Sequence, residues 1–199
     1  MFAILFWYRS YKEERHSDLF LGFVIFFLAM QLQDYTFGFA GINVLWEEMN
    51  GFPRYFTLAF APTVYFYLKA QVDRGFLFRL KDFVHFIPYL VYVILSILIF
   101  AQGSKAVSEY YVSPLSYWMG IIKRITIWTT YFYYFYKSLI LYYNYRIWAQ
   151  NQFSNQDTVS LKWLRNFIFL IIAGEIFKQL WYMADYIMNL DFEQDWWWH

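Results

Sequence analysis

The run FVHFIPYLVYVILSILIFAQGS, residues 83–104, decides the fold class. It is 22 residues long, holds no Asp, Glu, Lys or Arg, and lies between Asp82 and Lys105. A helix of about 20 apolar residues is what crosses a hydrocarbon core about 30 Å thick. Working outward, four more stretches read the same way, at about 18–36, 53–71, 115–143 and 160–189. They are too long and continuous for the alternating strands of an outer-membrane barrel, which run about ten residues each. The expected fold is therefore an all-α membrane protein. It is a polytopic bundle of five full spans in one transmembrane domain covering 1–199, with partial helices at 1–8 and 195–199.

Composition agrees. The 199 residues are 60% hydrophobic, 27% aromatic and 16% charged. An ordinary soluble domain is about 45–50% apolar and about 25% charged. No Cys is present, which excludes disulfides, thiol catalysis and Cys-based metal sites. A net charge of +1 gives no basis for nucleic-acid binding by this chain. The longest polar connection, at 144–159, contains a single cation, Arg146. That is too little for a helix-turn-helix surface or for phosphate-driven affinity.

Charge also sets an orientation, because Lys and Arg in short loops mark the cytoplasmic side. Connections 9–17, 69–81 and 137–165 carry 11 Lys and Arg residues, against 2 on the opposite side, Arg54 and Lys105. Loops 9–17, 69–81 and 144–159 are expected to be cytoplasmic. The expected location is a bacterial cytoplasmic membrane, with the lipid bilayer as the first partner.

Chemistry-bearing residues are sparse. None of His16, His85 and His199 has a second His or a carboxylate three or four residues after it, and Asp82 stands three residues before His85. No phosphate loop, nucleophile elbow or HExxH occurs. No catalytic residue, metal or cofactor is expected. The informative charges fall inside the expected spans, where ionisable groups are expensive and face a bundle interior. Glu175, Lys178, Tyr182, Asp185 and Asn189 are spaced 3, 4, 3 and 4, which puts them on one helical stripe. Lys123, Thr126, Thr130, Tyr133 and Lys137 form another. Two readings stand. In one, Glu175 and Lys178 satisfy each other while Lys123, Arg124 and Lys137 snorkel to the interfaces. In the other, Lys123, Arg124, Glu175, Lys178 and Asp185 line a polar ligand pocket open to the outside.

Several motifs add a resemblance. Phe60-Ala61-Pro62-Thr63-Val64-Tyr65-Phe66-Tyr67 is similar to G-P-x-x-Y-x-Y, with Ala61 in place of Gly. Lys81-Asp82-Phe83-Val84-His85-Phe86-Ile87-Pro88 is similar to K-D-x-x-H-F-x-P. Phe153-Ser154, followed by Trp163, Leu164 and Arg165, is similar to F-S-x…L-x-W-L-R. In this order and spacing, the chain resembles the N-terminal membrane-sensor region of AraC-type helix-turn-helix transcriptional regulators, found mostly in Bacteroidetes-like bacteria. The resemblance implies that the five spans are the second to sixth of a seven-helix receptor. It implies that the ends are parts of the first and seventh, and that the DNA-binding domain is absent from this chain. It also implies a sensor role for an unknown small ligand or partner membrane protein, with homodimerisation left open. The rivals are a small transporter or channel, and a structural membrane protein without a ligand.

Overall fold

The computed structural model describes residues 1–13, 15–44, 48–73, 75–152 and 162–188. Among these residues every regular element is helical and no strand occurs. The order is α1 (Phe2–Glu13), α2 (His16–Gln31), α3 (Gln33–Phe39), α4 (Thr57–Val72), a 3-10 helix (Leu80–Phe86), α5 (Ile87–Phe100), α6 (Ser104–Tyr111), α7 (Pro114–Gln152) and α8 (Lys162–Met188). The chain divides into two compact units, Met1–Leu141 and Tyr142–His199, with the boundary falling within α7.

In the first unit α4 is the core element, and eleven of its sixteen residues are buried. A helix that is apolar all round belongs inside a protein or in lipid, and α4 takes the first option. Pro62 lies within it and lacks the N–H that would reach the Leu58 carbonyl. α2 packs along α4, and α1 packs along α2. Gly22 permits the second contact. A Cβ there would run into the Trp7 indole and sit 3.1 Å from the Ala3 carbonyl.

Phe66 is fully buried at the centre of an aromatic cluster. Its ring lies 5.6 Å from Phe20, 5.1 Å from Phe78, 5.3 Å from His85 and 6.0 Å from Phe86. A second cluster joins Trp7, Phe23, Phe26, Phe27 and Phe56, with Phe27 and Phe56 stacked at 4.7 Å. Such pairs contribute about 0.5–1.5 kcal/mol each beyond area burial.

α5 behaves in the opposite way. None of its fourteen residues is buried although none is charged. Together with the preceding 3-10 turn it forms the one helical stretch among the described residues, Leu80–Phe100, that is long and apolar enough to cross a membrane unaided. α2 and α3 meet that requirement only when taken together.

Element boundaries depart from the sequence expectation at several places. The stretch 18–36 is not straight, because α2 and α3 meet at a 44° bend. At the bend the Leu32 N–H bonds to the Ala29 carbonyl, three residues back, which breaks the α-helical register. The helix expected from 53 begins only at Thr57, after Pro53 and a tight turn in which Arg54 N–H reaches the Phe52 carbonyl. The run at 83–104 opens earlier, as a 3-10 turn, and Pro88 occupies the first turn of α5, where its missing N–H costs little. α5 ends at Phe100, and Gly103 at φ +93° starts α6 inside the connection that follows. The first helix continues to Glu13, so most of the expected loop 9–17 is helical. α7 runs nine residues beyond 143, into the expected loop 144–159.

Candidate functional site

Where α3 meets the approach to α4, four polar side chains converge. Gln33 is buried and its Nε2 donates to the Arg54 carbonyl at 3.3 Å. Arg54 Nη2 lies 2.9 Å from Asp34 Oδ1, and the guanidinium is only 9% exposed. The Tyr55 hydroxyl donates to Asp34 Oδ2 at 2.5 Å and accepts from Arg54 Nη2 at 3.0 Å. Asp34, Arg54 and Tyr55 thus form a closed, charge-neutral triad. The Tyr55 hydroxyl, bonded to both partners, offsets part of the cost of burying the ion pair.

Lys123 of α7 is the next charge. Its ammonium lies 4.4 Å from the Tyr92 ring centroid and 5.9 Å from that of Tyr55. Among the described residues no carboxylate pairs with it. Ring faces attract a cation by about 0.5–2 kcal/mol, yet they leave its three N–H donors without acceptors. Among the described residues the cluster therefore carries one positive charge that no carboxylate pairs with, walled by two tyrosines and flanked by a neutral triad. Chemically, that arrangement accepts an anion. Arg124, the next residue, is exposed.

The first two resemblance motifs meet at the other end of α4. Pro62 and Tyr67 are buried, and Tyr65 lies 5.7 Å from Tyr134 of α7. His85 Nδ1 shares a 2.6 Å hydrogen bond with the Tyr134 hydroxyl. Phe86 stacks on Phe66, so G-P-x-x-Y-x-Y-like and K-D-x-x-H-F-x-P-like residues pack as one cluster. Asp82 is buried and accepts the Arg79 N–H at 2.8 Å, which holds the 3-10 turn. Lys69 stands 4.4 Å over the Phe76 ring and Lys137 5.0 Å over that of Tyr133.

A third pair was not singled out in the sequence. Arg9 and Asp18 form a bidentate bridge, 2.7 Å from Nε to Oδ2 and 2.8 Å from Nη2 to Oδ1. Arg15 approaches the same carboxylate at 3.8 Å. The Asp18 side chain is 2% exposed. Its hydrogen bond raises the Arg9 guanidinium above its ordinary range. The available signal was an Asp in the first turn of α2 with basic residues just before it.

In the second unit α8 carries Glu175 and Lys178, whose side chains pair at 2.6 Å across one helical turn. Asp185 lies on the same helix, but its side chain is outside the described residues. Lys123 and Arg124 belong to the first unit, whereas Glu175, Lys178 and Asp185 belong to the second. Of the third motif, Phe153 and Ser154 lie outside the described residues. Trp163, Leu164 and Arg165 occupy the first turn of α8, and their side chains are likewise not described. No group of three His, Cys, Asp or Glu side chains converges among the described residues.

Compared with known proteins, the chain matches no protein-family model, no curated protein and no solved structure.

Proposed function

We propose that this chain is the membrane-embedded input domain of a bacterial transcriptional regulator. It has five spans in the cytoplasmic membrane and passes an outside signal to a cytoplasmic DNA-binding domain that is not part of this sequence. The observation that carries the proposal is the Asp34–Arg54–Tyr55–Lys123 cluster. It holds a partly buried cation, Lys123, with which no carboxylate pairs among the described residues, on the side expected to be external from the 11-to-2 charge bias. A small anionic ligand would complete it. A ligand shifts such a bundle only through unequal affinity for two packings. Lys123 on α7 and Arg54 ahead of α4 would supply that difference, because they reach the ligand from separate elements. The exposed apolar surface of α5 supports placement in lipid. The motifs quoted above support the regulator half of the proposal.

The test is made on the gene. A helix-turn-helix coding sequence in frame with this chain is the expected finding. An in-frame domain of another class, or none, overturns the regulator role.

A further inference from the structure

We infer that Lys69, Lys137 and the 3-10 turn Leu80–Phe86 form a seat for the phosphate headgroup of an anionic phospholipid. The inference rests on the membrane placement proposed above, but concerns a different end of α4.

Three observations converge. First, Lys69 of α4 and Lys137 of α7 both lie against rings of one aromatic cluster. Lys69 Nζ is 5.9 Å from the Phe66 ring, and Lys137 Nζ is 5.9 Å from that of Tyr65. The His85 ring belongs to the same cluster, 5.3 Å from Phe66 and bonded through Nδ1 to the Tyr134 hydroxyl. Second, neither is neutralised. Lys137 lies 5.0 Å over the Tyr133 ring, and no carboxylate pairs with either Lys among the described residues. Asp82, the nearby acid, is held by the Arg79 backbone. Third, the turn beside them exposes apolar side chains. Leu80 is 87%, Phe83 51% and Val84 56% exposed. Phe83 is joined to the cluster through Phe78, 5.1 Å away.

Two cations beside a strip of exposed apolar side chains match an amphiphile, with an anion at one end and hydrocarbon at the other. A soluble anion would use the lysines and leave the strip uncovered. A neutral lipid would cover the strip and leave the lysines uncompensated. Charge also places this end on the cytoplasmic side, where anionic lipids attract basic segments at about 1 kcal/mol per Lys or Arg.

The experiment uses the full chain purified in neutral detergent and followed by tryptophan fluorescence on heating. It is titrated in parallel with phosphatidylglycerol, phosphatidylcholine and inorganic phosphate. Phosphatidylglycerol should raise the midpoint by roughly 5–10 °C at about 100 times its Kd. Phosphatidylcholine and phosphate should raise it far less. Lys69→Gln with Lys137→Gln should abolish the difference, and Lys69→Arg with Lys137→Arg should keep it. Equal stabilisation by phosphatidylcholine overturns recognition of the charge. Stabilisation by phosphate to the same extent overturns the lipid as its source. A wild-type response in the double Gln variant overturns the location. If that variant does not fold, Lys137→Gln alone must weaken the response at least threefold, and an unchanged response overturns the proposal. Alkaline carbonate washing of cell membranes separates the two levels. A chain washed off overturns the membrane placement itself, whereas a retained chain with no lipid response overturns only this seat.

Discussion

At the scale of single residues, two charges illustrate opposite uses of burial. Asp18 is almost fully buried and is held by Arg9 in a fork that fits both carboxylate oxygens. Removing Arg9 leaves the buried carboxylate with only Arg15, 3.8 Å away, and that loss is what gives such a pair its mutational cost. Arg9→Ala should therefore lower the thermal midpoint more than Arg9→Ala combined with Asp18→Asn. Thermal melts of the two variants side by side decide it, and a double variant worse than the single one would refute the pairing argument. Lys123 is the reverse case. Its charge gains only ring faces in return for lost water, so folding gains by its removal. Lys123→Met keeps the length and drops the charge. It should raise the midpoint by about 2–4 °C, which corresponds to about 1 kcal/mol. A drop would mean that the ammonium has a structural partner. Residues kept at a cost to stability are those on which function depends.

At the scale of elements, α4 organises the first unit, and Phe66 is the side chain through which it does so. The ring touches side chains of α2, of the loop after α4, and of the 3-10 turn. Phe66→Ala leaves a cavity among rings anchored on three separate elements. The expected loss is about 3–5 kcal/mol, or roughly 6–20 °C in midpoint. A loss below 1 kcal/mol, measured by thermal or denaturant unfolding, would show that the cluster collapses around the gap. Whereas the short polar α6 fell inside an expected connection, the longer helices α2, α4, α5, α7 and α8 were legible in the sequence as apolar runs. Their ends were less so. Pro53 to Phe56 runs on into α4 with only Arg54 interrupting it, and nothing local announces the bend at Leu32. The clusters were half legible. Lys123 stood out as a charge in an apolar run, whereas Arg54 looked like an ordinary loop cation. Its bond to Asp34 spans 20 residues, and that of His85 to Tyr134 spans 49. Contacts so distant leave no periodic trace.

At the scale of the whole molecule, α5 provides the sharpest test of placement. Ten of its fourteen residues are Ile, Leu, Val or Phe, none is charged, and none is buried by protein. On insertion scales each such residue contributes about −0.3 to −0.6 kcal/mol at mid-membrane, so the helix favours insertion by roughly −3 to −6 kcal/mol before its tyrosines are counted. In water the same surface would be an aggregation site. Insertion of the Leu80–Phe100 stretch puts its two flanks on opposite sides, and the charge bias says which flank is inside. The protein has no cysteine, so single probes report cleanly. Gly75 is exposed, and a Cβ there meets only the Asp73 side chain, at 3.4 Å. On the far flank Gly103 is unsuitable, because its φ of +93° would strain any side chain. Lys105, 91% exposed, serves instead. A membrane-impermeant maleimide applied to intact cells should label Lys105→Cys and not Gly75→Cys, and both should label once the membrane is permeabilised. Labelling of both in intact cells, or of Gly75→Cys alone, would refute the orientation. Labelling of neither before lysis and both after it would leave α5 on one side of the membrane and refute the crossing, with its uncovered surface then needing a protein partner instead of lipid.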